Sequence, residues 1–166
     1  SGSYYVGWII DRTNVVSEFN EGNNVAYKAS YKLNINPTPP TVIPVYRMFS
    51  PSQKDHFYTT SYNEYTTTAV NFGYNQEGIL VNMFNSPQTG IIPVYRMYSP
   101  ANKDHFYTTS YYEYMVTAVN FGYNQEGILG YLYSSPQTGS IPIYRMFSPA
   151  NKDHFLTTSY YEYTVT

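Results

Sequence analysis

Cysteine is absent from the 166 residues, which excludes a disulfide framework, thiolate metal sites and a cysteine nucleophile. Charge is scarce: Asp, Glu, Lys and Arg make up 12%, the net charge is −2, and the nine basic residues are spread along the chain. A surface for nucleic acid or anionic lipid needs Lys and Arg gathered on one face, so nucleic acid is not an expected partner. No apolar run approaches the ~20 residues of a spanning helix, and no membrane insertion is expected. The chain opens "SGSYY", with neither Met nor an exported-type leader, and we read it as a mature or excised piece of a longer protein. Tryptophan occurs once and histidine three times.

What the chain has instead is tyrosine, 22 residues of it, and an internal repeat. "IPVYRMFSPSQKDHFYTTSYNEY" starts at Ile43, "IPVYRMYSPANKDHFYTTSYYEY" at Ile92 and "IPIYRMFSPANKDHFLTTSYYEY" at Ile141, 49 residues apart each time. A fixed period of this size indicates units that bury one face against their neighbours. In each unit "PVYRMF" reads as a strand, "SPSQK" or "SPANK" as a turn, and "DHFYTT" as the return strand of a hairpin. Ser61 and Glu64 form a Ser-x-x-Glu helix start, and Gly73 supplies a left-handed stop after Phe72. "EGILVNMF" and "EGILGYLY" are closing strands. The third unit reaches Thr166 before such a strand, so either residues continue beyond it or another segment fills the gap.

The expected fold is mainly β. It has C-terminal strands of an incomplete Ig-like sandwich over residues 1–35 and a Pro-rich linker over 36–41. A pseudo-threefold domain of ββαβ-like units then covers 42–166, with units 43–91, 92–140 and 141–166, the third incomplete. A trefoil-like closure is favoured over a propeller-like ring.

The repeat signature "PVYR…DHFYTTS…E…GY…EGI" resembles a three-repeat module of uncharacterised function. That family occurs mainly near the ends of secreted bacterial and fungal proteins, beside hydrolase or adhesion domains. "YYVGWIID" and "NVVSEFNEGNNVAY" within residues 3–34 resemble the last strands of a CARDB-type, adhesion-related Ig-like domain. Together these resemblances imply an exported, multidomain bacterial surface protein, extracellular or held at the cell surface.

Candidate chemistry gathers on the hairpins. Alternation puts His56 and Tyr58 on one face of the return strand and Asp55 and Phe57 on the other, which turns His56 and Tyr58 toward a rim or a neighbouring unit. The preferred reading of His56, His105 and His154 is hydrogen bonding between hairpins, with ligand contact second. Arg47, Arg96 and Arg145 are expected to pair with Asp55, Asp104 and Asp153 across each hairpin. The functional alternative sets Tyr46, Arg47, Asp55, His56 and Tyr58 around a shallow pocket that stacks a sugar ring. Its second-unit counterpart is Tyr95, Arg96, Asp104, His105 and Tyr107, and its third is Tyr144, Arg145, Asp153 and His154. Leu156 in place of Tyr58 and Tyr107 sets the third unit apart.

No catalytic residue, cofactor or metal is assigned. One active site needs unlike groups in one constellation, whereas here equal groups recur. Glu18, Asn20, Glu21 and Asn23 carry oxygens suited to Ca²⁺ but lack a defined loop spacing, and a turn is preferred. The expected function is a non-catalytic extracellular binding or adhesion module with a glycan or cell-surface polymer as ligand. One alternative is a surface-fibre subunit self-associating through incomplete domains by strand complementation; another is the accessory C-terminal domain of a secreted hydrolase.

Overall fold

The computed structural model describes residues 41–165, together with the backbone of four short strands near the N-terminus. The chain divides into two compact units, Ser1–Pro39 and Pro40–Thr166. In the first, β1 (Gly2–Tyr5) pairs antiparallel with β4 (Lys32–Ile35), and β2 (Trp8–Ile9) with β3 (Val25–Ala26). The Ig-like reading of this stretch, the packing of Trp8 and the Glu18/Glu21 turn lie outside the described residues.

The second unit is mainly β. β5 (Val42–Ser50) and β6 (Asp55–Thr59) form a hairpin running in register from Ser50↔Asp55 to Tyr46↔Thr59. Its tight turn ends at Lys54, whose amide donates to the Ser50 carbonyl (2.7 Å) with φ at +56°, a left-handed conformation rare for a side-chain-bearing residue. The same turn recurs before β9 (Asp104–Thr108) at Lys103 and before β12 (Asp153–Thr157) at Lys152.

A short helical segment follows each hairpin. The Ser61 hydroxyl accepts from the Glu64 amide (3.2 Å), as a helix cap should. Glu64 does not reach back to the Ser61 amide, however. That amide donates to Thr59 Oγ1 (3.0 Å), and Thr59 Oγ1 in turn donates to the Glu64 carboxylate. "EYTTT" (Glu64–Thr68) winds as a π-helical turn, crowded by β-branched residues, before α1 (Ala69–Asn71) completes the segment. Gly73 ends it at φ +84°.

β7 (Asn75–Phe84) returns along the free edge of β5 with two register shifts. The first leaves Glu77 unpaired between Met48↔Gln76 and Arg47↔Gly78, with Gly78 at φ +105°. Such a bulge re-aims a side chain, and Glu77 is turned onto Arg47. The second frees Leu80, which packs against the central core. Unit two repeats all of this with β8 (Ile91–Ser99), β9, α2 (Ala118–Asn120) and β10 (Asn124–Tyr133). β7 and β10 meet at Phe84↔Tyr131, so six strands form one antiparallel sheet in the order β6-β5-β7-β10-β8-β9. In unit three, β11 (Tyr144–Ser148) and β12 form a two-stranded sheet, followed by α3 (Tyr160–Val165).

The three hairpins share one core. Val45, Tyr58, Met83, Val94, Tyr107, Leu129 and Leu156 make a single buried cluster drawn from all three units. Satellite clusters sit within units one and two, Met48, Phe57, Ala69 and Tyr74 in the first, and Met97, Phe106 and Ala118 in the second. The return strands of units one and two are buried on both faces, one toward the shared core and the other toward the satellite. Tyr58 is therefore 0% exposed and its hydroxyl meets Leu156 of unit three, so of the two expected settings, a rim or a neighbouring unit, it takes the second.

Candidate functional site: clefts at the joints between units

Each joint is built by side chains that reach one unit back around the ring. Asp55 accepts the His105 amide (2.8 Å) and His105 Nδ1 (2.6 Å); Asp104 does the same for His154, and Asp153 for His56. The last contact joins unit one to unit three and closes the circle. Tyr74 and Tyr123 donate to Oδ2 of Asp55 and Asp104, the same oxygen that the histidine Nδ1 engages. Burial, aided by the adjacent carboxylates, pushes both phenols well above the ordinary tyrosine range, so they remain donors. His56 Nε2 faces Arg47 Nη2 at 3.4 Å, an arrangement that leaves the proton on Nδ1, directed at Asp153.

The arginines follow the same circuit. Arg96 binds Glu64 of unit one through Nη1 (3.1 Å) and Glu126 of its own unit through Nε (3.0 Å). Arg47 likewise bridges Glu162 and Glu77, and Arg145 binds Glu113. The expected cross-hairpin Arg–Asp pair does not form. Register explains why: Arg47 stands opposite Tyr58, and Asp55 stands opposite Ser50 at the turn. For Glu64, burial works to raise the carboxyl but is outweighed by Arg96 and Thr59, which hold it below the ordinary range. Glu113 is lowered chiefly by Arg145, and Glu162 by Arg47 and Thr157.

These joints leave two related clefts. The first, of about 280 Å³, has Phe57 and Tyr74 of unit one on its floor and Arg96, Tyr98, His105 and Glu126 of unit two on its far wall. The Arg96 guanidinium lies 5.1 Å from the Phe57 ring centre, a cation–π distance. Phe72, 69% exposed at the helix end, forms the lip. The second, of about 620 Å³, places Phe106, Tyr123, Phe121, Phe147 and His154 in corresponding positions and adds Lys152, and Phe121 is 72% exposed.

The sequence candidates distribute unevenly over these clefts. Arg96, His105 and His154 reach them. Arg145 lies over Phe106 at the edge of the second, while Arg47 and His56 belong to the ring-closing joint. Asp55, Asp104 and Asp153 are buried beneath the histidines. Tyr58 and Tyr107 are core residues, buried in the cluster shared by the three units. Tyr46, Tyr95 and Tyr144 stack on Tyr65, Tyr114 and Tyr163 of their own helical segments, with ring centres 4.3–4.5 Å apart. Sequence reasoning missed the lip phenylalanines. The available signal was the word "NFGY", which exposes a large apolar ring beside a left-handed glycine.

Asp55, Asp104 and Asp153 are the nearest approach to a metal-ligand set among the described residues, with one oxygen of each within 4.8 Å of the others. Histidine N–H groups already engage these carboxylates, which marks them as the joint of the ring. No described helix is long and apolar enough to cross a membrane.

The sequence profile of the family described as "Domain of unknown function (DUF5648)" matches residues 44–166. The chain belongs to this family. The DUF5648 match spans all three hairpins and both clefts, and as a family of unknown function it assigns neither of them a ligand. No curated protein and no solved structure matches the chain.

Proposed function

We propose that residues 42–166 form a non-catalytic extracellular binding module that holds a glycan weakly at repeated inter-unit clefts. One observation carries this reading: a cleft with an exposed Phe lip, a Phe/Tyr floor and a wall bearing a His and a cationic side chain, Arg96 in the first and Lys152 in the second, occurs at two successive joints. Carbohydrate rings present apolar C–H faces and a rim of hydroxyls, which suits an aromatic platform beside fixed charged groups. Two weak sites on one rigid domain gain by avidity on a repetitive polymer. Among the described residues no hydroxyl hydrogen-bonds a histidine Nε2, and this favours binding over nucleophilic catalysis. The packed ring axis, filled by Asp and Tyr side chains, supports a trefoil-like closure rather than a channelled propeller. A secreted, cell-surface setting and a CARDB-type domain over residues 3–34 rest on the sequence resemblances.

The test is a glycan array followed by calorimetry on the best ligand, comparing the parent with a Phe72→Ala/Phe121→Ala variant of unchanged circular dichroism. The variant is expected to lose about tenfold in apparent affinity. Parent protein that binds no glycan, or a variant that binds as well, overturns the reading.

A further inference from the structure

The walls of the first cleft come from units one and two, which both carry the full set of elements, β5 to β7 and β8 to β10. One polar atom in it is unspent. His105 is only 8% exposed, and its ring is boxed in by Phe57 and Tyr98, with ring centres 4.7 and 4.5 Å away, and crossed by Tyr74 at 6.4 Å. Asp55 Oδ2 lies 2.6 Å from Nδ1, which fixes the ring and keeps the proton on that nitrogen. Nε2, at the other corner, is left as an acceptor with no hydrogen-bond partner among the described residues. Buried polar atoms are nearly always satisfied, so one that lines a cleft and lacks a partner points to a ligand. Glu126 Oε2 lies 4.0 Å from Nε2, too far for the two to bond directly. A single nitrogen about 2.8 Å from each atom fills that gap.

Charge selects the kind of nitrogen. The Arg96 guanidinium is already claimed by two carboxylates, Glu64 at 3.1 Å and Glu126 at 3.0 Å. Two carboxylates against this one cation leave the wall net negative. The His105–Asp55 pair adds no positive charge in either protonation state, being neutral overall when His105 is charged and negative when it is not. Such a wall repels carboxylates and sulfates and attracts an ammonium group. Apolar surface for a ring is supplied by Tyr74 on the floor and by Phe72 at the lip, 69% exposed. The volume of about 280 Å³ stands at the lower end of small-molecule cavities, which start at roughly 300 Å³, and it suits one sugar residue at a time.

We propose that this cleft recognises an amino sugar with a free ammonium group, carried on a glycan chain. The ammonium sits between His105 Nε2 and Glu126, and the C–H face of the ring lies on Phe72. The inference deepens the glycan reading and rests on it, adding the class of sugar that the first cleft selects. N-acetylation removes the charge and adds bulk at the atom the gap receives. A lysine side chain brings the same ammonium on a thin methylene stem, which leaves the Phe72 face uncovered, so the sugar is the better occupant.

The probes are oligomers of equal length of glucosamine, N-acetylglucosamine and galacturonate, titrated into the full chain by calorimetry, with polylysine as a competitor. The glucosamine oligomer should bind about tenfold or more tightly than its N-acetylated counterpart, and galacturonate should bind least. That preference should shrink as salt rises from about 0.01 to about 0.15 M. It should vanish in Glu126→Gln, whereas Phe72→Ala should weaken both glucosamine-type ligands alike and keep their ratio. Equal binding of the N-acetylated oligomer overturns the amino-sugar assignment and leaves the glycan reading standing. The same holds if a Glu126→Gln variant of unchanged circular dichroism keeps the preference. The salt series uses the parent protein alone, and a preference indifferent to salt also overturns the assignment. Polylysine that competes as well as the glucosamine oligomer moves the site to a protein partner and overturns the sugar. Failure of every glycan to bind overturns this assignment together with the reading it rests on.

Discussion

Tyr58, Tyr107 and Leu156 occupy one position in three units and show how much one hydroxyl does at the ring axis. The Tyr107 hydroxyl accepts from the Tyr58 amide (2.8 Å) and donates to the Tyr58 carbonyl (3.3 Å). The Tyr58 hydroxyl treats the backbone of Leu156 in the same way, at 2.9 and 2.7 Å. Leu156 cannot do so for Tyr107, whose carbonyl accepts from Arg145 instead. Buried backbone groups left without a partner cost about 1–3 kcal/mol. Tyr58→Phe should therefore destabilise by that amount, whereas Leu156→Tyr, growing into the adjacent groove, should stabilise by about 1 kcal/mol. Urea unfolding of the two variants checks both signs. The exchange was visible in the sequence, but alternation along one strand cannot say that both faces are covered, and so a rim stayed open as a setting for Tyr58 beside the neighbouring unit it meets.

Elements carry the repeat only where neighbours allow it. Gly130 stands where unit one has Val81, and a Cβ there would lie 3.1 Å from Met83 Cβ and 3.4 Å from the Phe84 carbonyl. β10 needs a glycine because β7 passes it closely at that point, a contact that belongs to the junction of two units and not to each unit. Gly130→Val should separate β7 from β10 and cost about 1–3 kcal/mol, read by denaturation, with hydrogen exchange faster in β10 than in β9. Hairpins, cap and glycine stop were legible locally, since each depends on residues within about ten positions of itself. The bulge at Glu77 was not. "EGILVNMF" reads as a regular closing strand until β5 lies beside it, and only then does the register shift aim the Glu77 carboxylate at Arg47.

At the scale of the molecule, three carboxylate–guanidinium contacts, Glu64–Arg96, Glu113–Arg145 and Glu162–Arg47, run round the ring. All three carboxyls titrate below their ordinary value in the folded protein. The unfolded chain thus binds more protons in that window, and stability rises with pH across it. The contribution is complete above about pH 4.3, the unperturbed Glu value, and is lost as pH falls through the lower folded values. Urea midpoints measured from pH 6 down to pH 3 should fall below about pH 4.3. An Arg96→Gln variant should begin less stable and lose less on acidification. Parallel curves for the two proteins would show that these contacts do not set the acid response.

The residues alone determined the period, the β-rich units, the hairpin turn at "SPxxK" and the left-handed stop at Gly73, because local sterics and spacing decide such features. Tertiary structure decided the rest. It alone shows that Asp55 answers a histidine of the next unit, that Arg96 bridges two glutamates, and that Phe72 becomes the lip of a cleft. These side-chain pairings join residues 30 to 50 positions apart, and the direction in which the ring closes selects them.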